Sequence, residues 1–267
     1  MPHGPVRDLE AVLPRLWSLP YSPWSEQAKW ALDASLVGYT KQRYDPMLSE
    51  PAMRWRLRKW RGPISVPVLE CDGGRLSDSL DIALWAARQG PAESSLIPAE
   101  ALAEILEYNT LSGRGLAAGR ERSLIRLLED PEGLRDMVPR GVSRVLGPLS
   151  VTVAAFGVRR TLRKYDATVG QDAAATLTEV LDRLREALRA PGGTTRGVAH
   201  LLSRFSYADI VMAQVLAFVE PPKSHLRLTD ATRRSFTDPE LRARYGDLLA
   251  WRDQLYAQLR PAAVAVG

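Results

Sequence analysis

Apolar positions along the first third of the chain alternate between two spacings, which predicts strands and helices in turn. The run RLWSL at 15–19 predicts a short strand. Over 23–36 the apolar residues recur every three or four positions, which is typical of a helix packed on a sheet. The charged residues Glu26, Lys29 and Asp33 lie mostly off this apolar stripe.

The same part of the chain continues with further short elements. Residues 38–45 predict a second strand after a glycine that ends the helix. A segment rich in arginine and tryptophan follows, and 65–79 predicts two strands joined at DGG, residues 72–74, a strong hairpin signal. Helical spacing then returns up to Gly90. The predicted order is β-α-β-(α)-β-β-α.

From residue 98 onward the spacing is helical and no clear strand pattern remains. Four segments predict amphipathic helices, at 99–129, 173–190, 206–220 and 238–259. The stretch 89–98 predicts a linker, and 190–197 a loop. We therefore expect a small α/β domain at 14–90 and an all-helical domain at 98–260.

Composition and charge narrow the class of protein. Among 267 residues, 45% are hydrophobic and 25% charged, as in ordinary soluble globular proteins. The net charge of +5 would suit anionic ligands, but acids and bases alternate along the chain, so we expect no nucleic-acid partner. The first 17 residues lack the pattern of a signal peptide, and the single cysteine suits a reducing compartment; we expect a cytoplasmic protein.

The longest apolar stretch, at 145–158, is shorter than the ~20 residues that span a bilayer, and it contains two glycines and a proline. We expect no membrane-spanning segment and interpret the stretch as buried or as lining a pocket. The basic run RRTLRKY at 159–165 leaves a membrane-surface role as the alternative.

Candidate chemistry appears where the first strand meets the first helix. Proline is favoured at the first helical position because it lacks the N–H that would be unpaired there, and serine is favoured just before it as a cap. Ser22 and Pro23 follow this pattern. Ser22 is therefore either a helix cap alone, or a hydroxyl that also stabilises an anion at the positive end of the helix.

Other chemistries lack the residues that they require. The three histidines, His3, His200 and His225, show no metal-ligand spacing, so we expect no metal. No glycine-rich phosphate loop follows a strand. Cys71 lies in the predicted hairpin, away from the strand-to-helix turn, which argues against thiol–disulfide exchange.

Four motifs, in this order, resemble those of the glutathione transferase superfamily over about residues 14–260. YSPWSEQAKWAL resembles the Ser-Pro-Phe turn of the tau class, and SVPVLE resembles the Val-Pro segment whose proline is cis. RLSDSLDIALW resembles the acidic-Ser motif of the third helix, and FSYADIVMAQVLAFV the capping box of the long buried helix. The resemblance implies a thioredoxin-like N-terminal domain followed by an all-helical C-terminal domain.

The resemblance also implies catalytic and glutathione-binding residues. Ser22 would be catalytic, donating a hydrogen bond to the glutathione thiolate, with Tyr21 and Ser25 as alternative hydroxyls. The remaining implied contacts are Val66, through its backbone, the cis residue Pro67, and Asp78 and Ser79, which would hold the ammonium and the carboxylate of the γ-glutamyl end. Helix capping is the alternative role for Asp78 and Ser79.

One departure concerns the glycine end of glutathione. Ser65 stands where many relatives of this family place a lysine that meets the glycine carboxylate. Lys41, Arg54 or Arg61 would supply the missing cation, although the same residues also suit a solvated helix face.

The sequence therefore predicts a glutathione transferase-like enzyme, with glutathione as co-substrate and a small apolar electrophile as substrate. The expected electrophile pocket lies between the domains. It is lined by Trp24 of the first helix and by Tyr108 and Arg114 of the helix that continues to Arg120. The resemblance also implies a homodimer. The alternative is a non-catalytic protein of this fold that carries apolar ligands or binds a partner protein.

Overall fold

The computed structural model describes residues 13–45, 49–62, 64–92, 95–138, 141, 144, 147, 149–165, 172–260 and 265–266. Its first part alternates strands and helices, which are β1 (Arg15–Ser18), α1 (Pro23–Ala34), β2 (Tyr39–Arg43), α2 (Glu50–Leu57), β3 (Val68–Cys71), β4 (Gly74–Leu76) and α3 (Ser79–Gln89). This confirms the predicted order and the hairpin between β3 and β4.

The sheet is mixed, and β1 lies at its centre. Strand β1 pairs in parallel with β2 and antiparallel with β3, and β3 pairs antiparallel with β4. A further short strand, β7 (Ala265–Val266), extends the far edge by pairing in parallel with β2. The expectation of no strand after residue 98 is therefore wrong here, because two residues are too few to show a periodic pattern.

Alternating side chains of β1 face the two sides of the sheet. Leu16 is fully buried on one side with Leu32 of α1 and Ile82 of α3. Trp17 faces the other side and packs with Met53 of α2. The sheet is thus covered by α1 and α3 on one face and by α2 on the other.

The second part is helical, with one small hairpin. Its elements are α4 (Leu102–Leu128), α5 (Pro131–Asp136), α6 (Leu149–Tyr165), α7 (Ala173–Arg189), β5 (Gly193–Thr195), β6 (Val198–His200), α8 (Tyr207–Val215), α9 (Asp230–Phe236), α10 (Pro239–Arg244) and α11 (Gly246–Leu259). Every residue of α8 is buried, so this helix forms the centre of the core. Among the described residues, no helix combines the length and the apolar character needed to cross a bilayer.

Two sequence interpretations need correction in this part. The predicted loop at 190–197 contains strand β5 and the turn of the β5–β6 hairpin. Arg196 and Gly197 form this turn, and both take the positive φ, 51° and 80°, that a two-residue hairpin turn requires. The stretch 145–158 is buried on one side only: within α6, Leu149 and Phe156 are 64% and 61% exposed. Residues 145, 146 and 148 lie outside the described residues.

Helix α4 passes very close to the end of α8, and this approach requires a glycine. A Cβ added at Gly119 would lie 2.6 Å from the Cβ of Phe218. We expect Gly119→Ala to lower the free energy of unfolding by about 1–3 kcal/mol through overpacking. At Gly113, on the same helix, an added Cβ meets nothing within 4 Å. Gly113→Ala should therefore raise stability by about 0.5–1 kcal/mol; equal effects of the two in urea unfolding would contradict this packing.

Candidate active site

Ser22 lies at the N-terminus of α1, directly after the turn that leaves β1. Its Oγ accepts a hydrogen bond from the Ser25 N–H at 3.4 Å, and its carbonyl accepts one from the Glu26 N–H at 3.0 Å. The residue is 9% exposed. Toward the other described residues its hydroxyl donates no hydrogen bond, so the proton is available to an anion bound at this helix end.

The two alternative hydroxyls are placed differently. Ser25 is fully buried, and its Oγ accepts the Leu19 N–H at 3.1 Å, which fixes the turn between β1 and α1. Tyr21 is half-buried, and burial raises its pKa to about 12, helped by the nearby charge of Asp45. Its phenol is therefore neutral, and ionisation of its hydroxyl is disfavoured.

The peptide bond between Val66 and Pro67 is cis, which confirms the sequence prediction for this bond. Val66 is half-buried and packs on the same apolar cluster as Leu19, so this segment lies beside the turn that leads to α1. Its backbone N–H and C=O form no hydrogen bond with the described residues. The segment thus presents a donor and an acceptor that a peptide-like ligand would pair.

The start of α3 is tied to α1. The Ser79 Oγ donates to the Gln27 Oε1 at 2.9 Å, and Ser79 is only 4% exposed. Asp78 is exposed and caps α3, since its Oδ1 accepts the Leu80 N–H at 2.8 Å. The capping role considered for Asp78 is therefore observed. The Ser79 hydroxyl is engaged within the protein, while its backbone N–H donates to no described residue.

These contacts gather three features at one end of the sheet, beyond Trp17 of β1, Val68 of β3 and Leu76 of β4. Val66 lies near the turn before α1, and the Ser79–Gln27 bond holds the start of α3 against the first turns of α1. Helix N-termini carry partial positive charge and unpaired N–H groups, which favour anions. Two such termini beside the Val66 backbone, whose N–H and C=O bond to no described residue, could bind a small peptide with anionic groups.

The cations considered for the missing lysine do not meet at this place. Arg54 pairs with the Glu50 carboxylate at 2.6 Å and also donates to two carbonyls of the loop after α2. Its guanidinium is therefore already engaged within α2 and this loop. The Lys41 ammonium lies 5.7 Å from the centre of the Tyr39 ring, and Arg61 is exposed. The described contacts place none of the three beside Val66.

An aromatic surface adjoins the first turn of α1. The half-buried Trp24 ring lies 6.3 Å from the Phe218 ring, and the Arg120 guanidinium lies 5.1 Å from the Trp24 ring centre. Arg120 and Phe218 bring α4 and the end of α8 to the N-terminal part of the chain. Phe218 is only 3% exposed, so Trp24 and Arg120 are the side chains of this contact that a ligand would meet.

The structure does not bring the other two predicted pocket residues to Trp24. Arg114 pairs with Glu179 of α7 at 2.8 Å, and it lies about 120° around the axis of α4 from Arg120. Tyr108 precedes Arg120 by twelve residues, about 18 Å along the helix axis. The pocket itself stays a prediction. Spacing along α4 did not show that Arg120, rather than Tyr108 or Arg114, is the residue that lies on Trp24.

Sequence reasoning missed a contact from the second part of the chain. The Arg227 N–H donates to the Pro20 carbonyl at 3.1 Å, so the loop after α8 touches the turn between β1 and α1. This loop has no periodic pattern. A backbone contact of this kind has no signal in the sequence.

The described residues contain neither a cluster of metal ligands nor an activated thiol. They include no group of three or more His, Cys, Asp or Glu side chains that could hold a metal ion. Cys71 is half-buried, and burial and the nearby Asp72 raise its pKa, so the group is a neutral thiol rather than a thiolate.

No protein-family model and no curated protein matches this chain. Solved structures do match it. Glutathione transferase GSTFuA2 from Phanerochaete chrysosporium has a TM-score of 0.60 and 14% identity, over 94% of this chain and 99% of that one. A glutathione S-transferase domain-containing protein from Marinobacter aquaeolei has a TM-score of 0.54 and 18% identity, over 93% and 100%.

A glutathione transferase homologue from Sulfitobacter, solved with bound glutathione, has a TM-score of 0.51 and 15% identity, over 93% of this chain and 95% of that one. At such identities the similarity concerns the course of the backbone. Because these matches extend over nearly the whole chain, the protein has the fold of the glutathione transferase superfamily: a thioredoxin-like part followed by a helical part.

Proposed function

We propose that the protein binds glutathione at the surface formed by Val66 and the N-termini of α1 and α3. The Val66 backbone pairs with the cysteinyl part of the tripeptide. The Ser79 N–H meets the γ-glutamyl carboxylate, and Asp78, which is exposed, faces the ammonium. A protein of the same fold, from Sulfitobacter, was solved with bound glutathione, which supports glutathione as the ligand.

We further propose that Ser22 activates the glutathione thiol for attack on an apolar electrophile. The observation that carries this proposal is that the Ser22 hydroxyl, at the N-terminus of α1, keeps its proton available. The pKa of a free thiol is about 8.5, and lowering it by two units requires about 2.7 kcal/mol of preferential stabilisation of the thiolate. A charge-assisted hydrogen bond contributes ~1.5–3 kcal/mol and the helix end adds to it, so the magnitudes agree.

Trp24 and Arg120, with the buried Phe218 behind Trp24, would hold the electrophile against the thiolate. Fixing the two reactants together lowers the barrier by removing much of the entropy cost of their encounter. The homodimer and the cytoplasmic location expected from the sequence stay predictions.

Replacing Ser22 tests the catalytic role. We expect Ser22→Ala to raise the pKa of the bound thiol by about 1–2 units, because the anion loses its hydrogen bond. At pH 7 and saturating glutathione, kcat/KM for a generic aryl halide should fall about 3–25-fold, in proportion to the thiolate fraction. The thiolate absorption band, followed against pH with saturating glutathione, measures the first effect directly.

Two further variants make this test specific. Ser22→Thr keeps the hydroxyl and should retain most of the activity, whereas Tyr21→Phe removes the competing phenol and should change little. If Tyr21→Phe abolishes the thiolate band and Ser22→Ala leaves it intact, the assignment of Ser22 is wrong.

A non-catalytic role is the second candidate, and one observation favours it. The Ser79 hydroxyl, which the resemblance implies as a glutathione contact, and Arg54, one of the three candidate cations, already have partners within the protein. Calorimetry of glutathione binding, combined with the ultraviolet absorption of the thiolate, separates the transferase from the non-catalytic protein. Glutathione binding without a thiolate band at neutral pH would indicate a carrier or a binding protein rather than a transferase.

A further inference from the structure

Four of the five most exposed large apolar side chains among the described residues lie in two segments, and the fifth is Leu36. Trp55 of α2 and Trp60 just after it are 70% and 69% exposed, and Leu149 and Phe156 of α6 are 64% and 61% exposed. Tryptophan and phenylalanine are usually well buried, and a soluble protein seldom exposes several together unless the surface binds something.

The same two segments are strongly basic. Residues 50–61 carry five arginines or lysines and one acid, Glu50, and residues 149–165 carry four and no acid. Glu50 is paired with Arg54 at 2.6 Å and also lies 4.0 Å from Arg160 of α6. This contact brings α6 to the start of α2, and we call the two segments together the aromatic–basic patch.

The orientation of α6 explains why its apolar residues face outward. Ala154, Ala155 and Val158 pack into the cluster beneath the helix. Phe156 and Arg159 are exposed on the other side. The outward face therefore combines large apolar groups with arginine, a pattern typical of helices that lie in the interfacial region of a membrane.

We propose that the aromatic–basic patch binds the surface of an anionic phospholipid bilayer. Tryptophan and phenylalanine prefer the boundary between headgroups and acyl chains. Arginine and lysine are attracted by anionic headgroups. The charge argues against a second copy as the occupant, since two identical basic patches would repel each other. The phosphates of a nucleic acid would pair with the cations, but a nucleic acid does not explain why Leu149 and Phe156 are exposed.

Vesicle binding tests the proposal with the full chain. We expect the protein to cosediment with vesicles of phosphatidylcholine and phosphatidylglycerol but not with phosphatidylcholine alone, and added salt should weaken this binding. Arg159→Gln with Arg163→Gln should lower the partition coefficient about 25-fold, since each basic residue near the surface contributes about fivefold. Trp55→Ser with Trp60→Ser should abolish the blue shift of tryptophan fluorescence that accompanies binding.

A matched pair of arginines outside the patch provides the control. Arg183 and Arg189 on α7 are also exposed, and Arg183→Gln with Arg189→Gln changes the net charge by the same amount. Equal weakening by both pairs would show attraction by net charge alone and overturn the patch. Absence of binding to the anionic vesicles would overturn it too, as would sedimentation of a dimer that Trp60→Ser converts to a monomer.

Discussion

Arg260→Ala is expected to destabilise the protein by about 3–5 kcal/mol, because it removes the cation that bridges two buried carboxylates. The Arg260 guanidinium lies 3.1 Å from Glu26 and 2.8 Å from Asp33, and its side chain is only 4% exposed. Both carboxylates are fully buried in α1. Lys29 lies 2.5 Å from Glu26 but makes no ion pair with Asp33 among the described contacts.

Urea unfolding of two further variants makes this result interpretable. Arg189→Ala removes an exposed arginine whose partner, Glu186, is also exposed, and should change stability by less than about 1 kcal/mol. Neutralising the carboxylates with Glu26→Gln and Asp33→Asn in the Arg260→Ala background should recover part of the loss. A loss below about 1 kcal/mol for Arg260→Ala alone would mean that water reaches these carboxylates.

This cluster shows where sequence reasoning stops. Spacing identified α1 correctly and placed Glu26, Lys29 and Asp33 mostly off its apolar stripe, yet the structure buries both carboxylates. Their partner, Arg260, is 234 positions away from Glu26. Periodicity within one helix reports the face toward its own sheet, and it contains no information about a distant segment that covers the other face.

The candidate site divides in the same way. Ser22 as a helix cap and the cap at Asp78 are local features, and local residue preferences predicted them. The cis bond before Pro67 was predicted from the family resemblance. The partner of Ser79 and the residue that lies on Trp24 depend on how separate elements pack, and sequence reasoning missed both. A pattern along the chain predicts elements and their ends more readily than it predicts contacts between them.

Asp209→Ala is expected to lower the free energy of unfolding by about 3–5 kcal/mol, since two buried N–H groups would lose their acceptor. The Asp209 carboxylate accepts the Leu201 N–H at 2.8 Å and the Ser206 N–H at 2.9 Å. It thereby closes the capping box at the start of α8, the helix at the centre of the core, which confirms the capping box predicted from Ser206 and Asp209. Asp209→Asn keeps one acceptor and should cost less.

The same carboxyl group predicts a dependence of stability on pH. Burial raises the pKa of Asp209 to about 7, against the hydrogen bonds from Leu201 and Ser206, which lower it. Because the folded pKa lies above the unfolded value near ~3.9, the stabilising contribution is complete below pH ~4 and disappears as the pH rises through about 7. The stability advantage of the native protein over Asp209→Asn should therefore shrink by about 2–3 kcal/mol between pH ~5 and ~8.

Comparing the two proteins at each pH cancels the titration of every group that they share, which leaves the Asp209 contribution alone. Urea unfolding at several pH values in this range measures it. A difference that does not change with pH would mean that Asp209 stays ionised in the folded protein, with its hydrogen-bond donors outweighing its burial. A difference that grows with pH would reverse the sign and exclude a raised pKa.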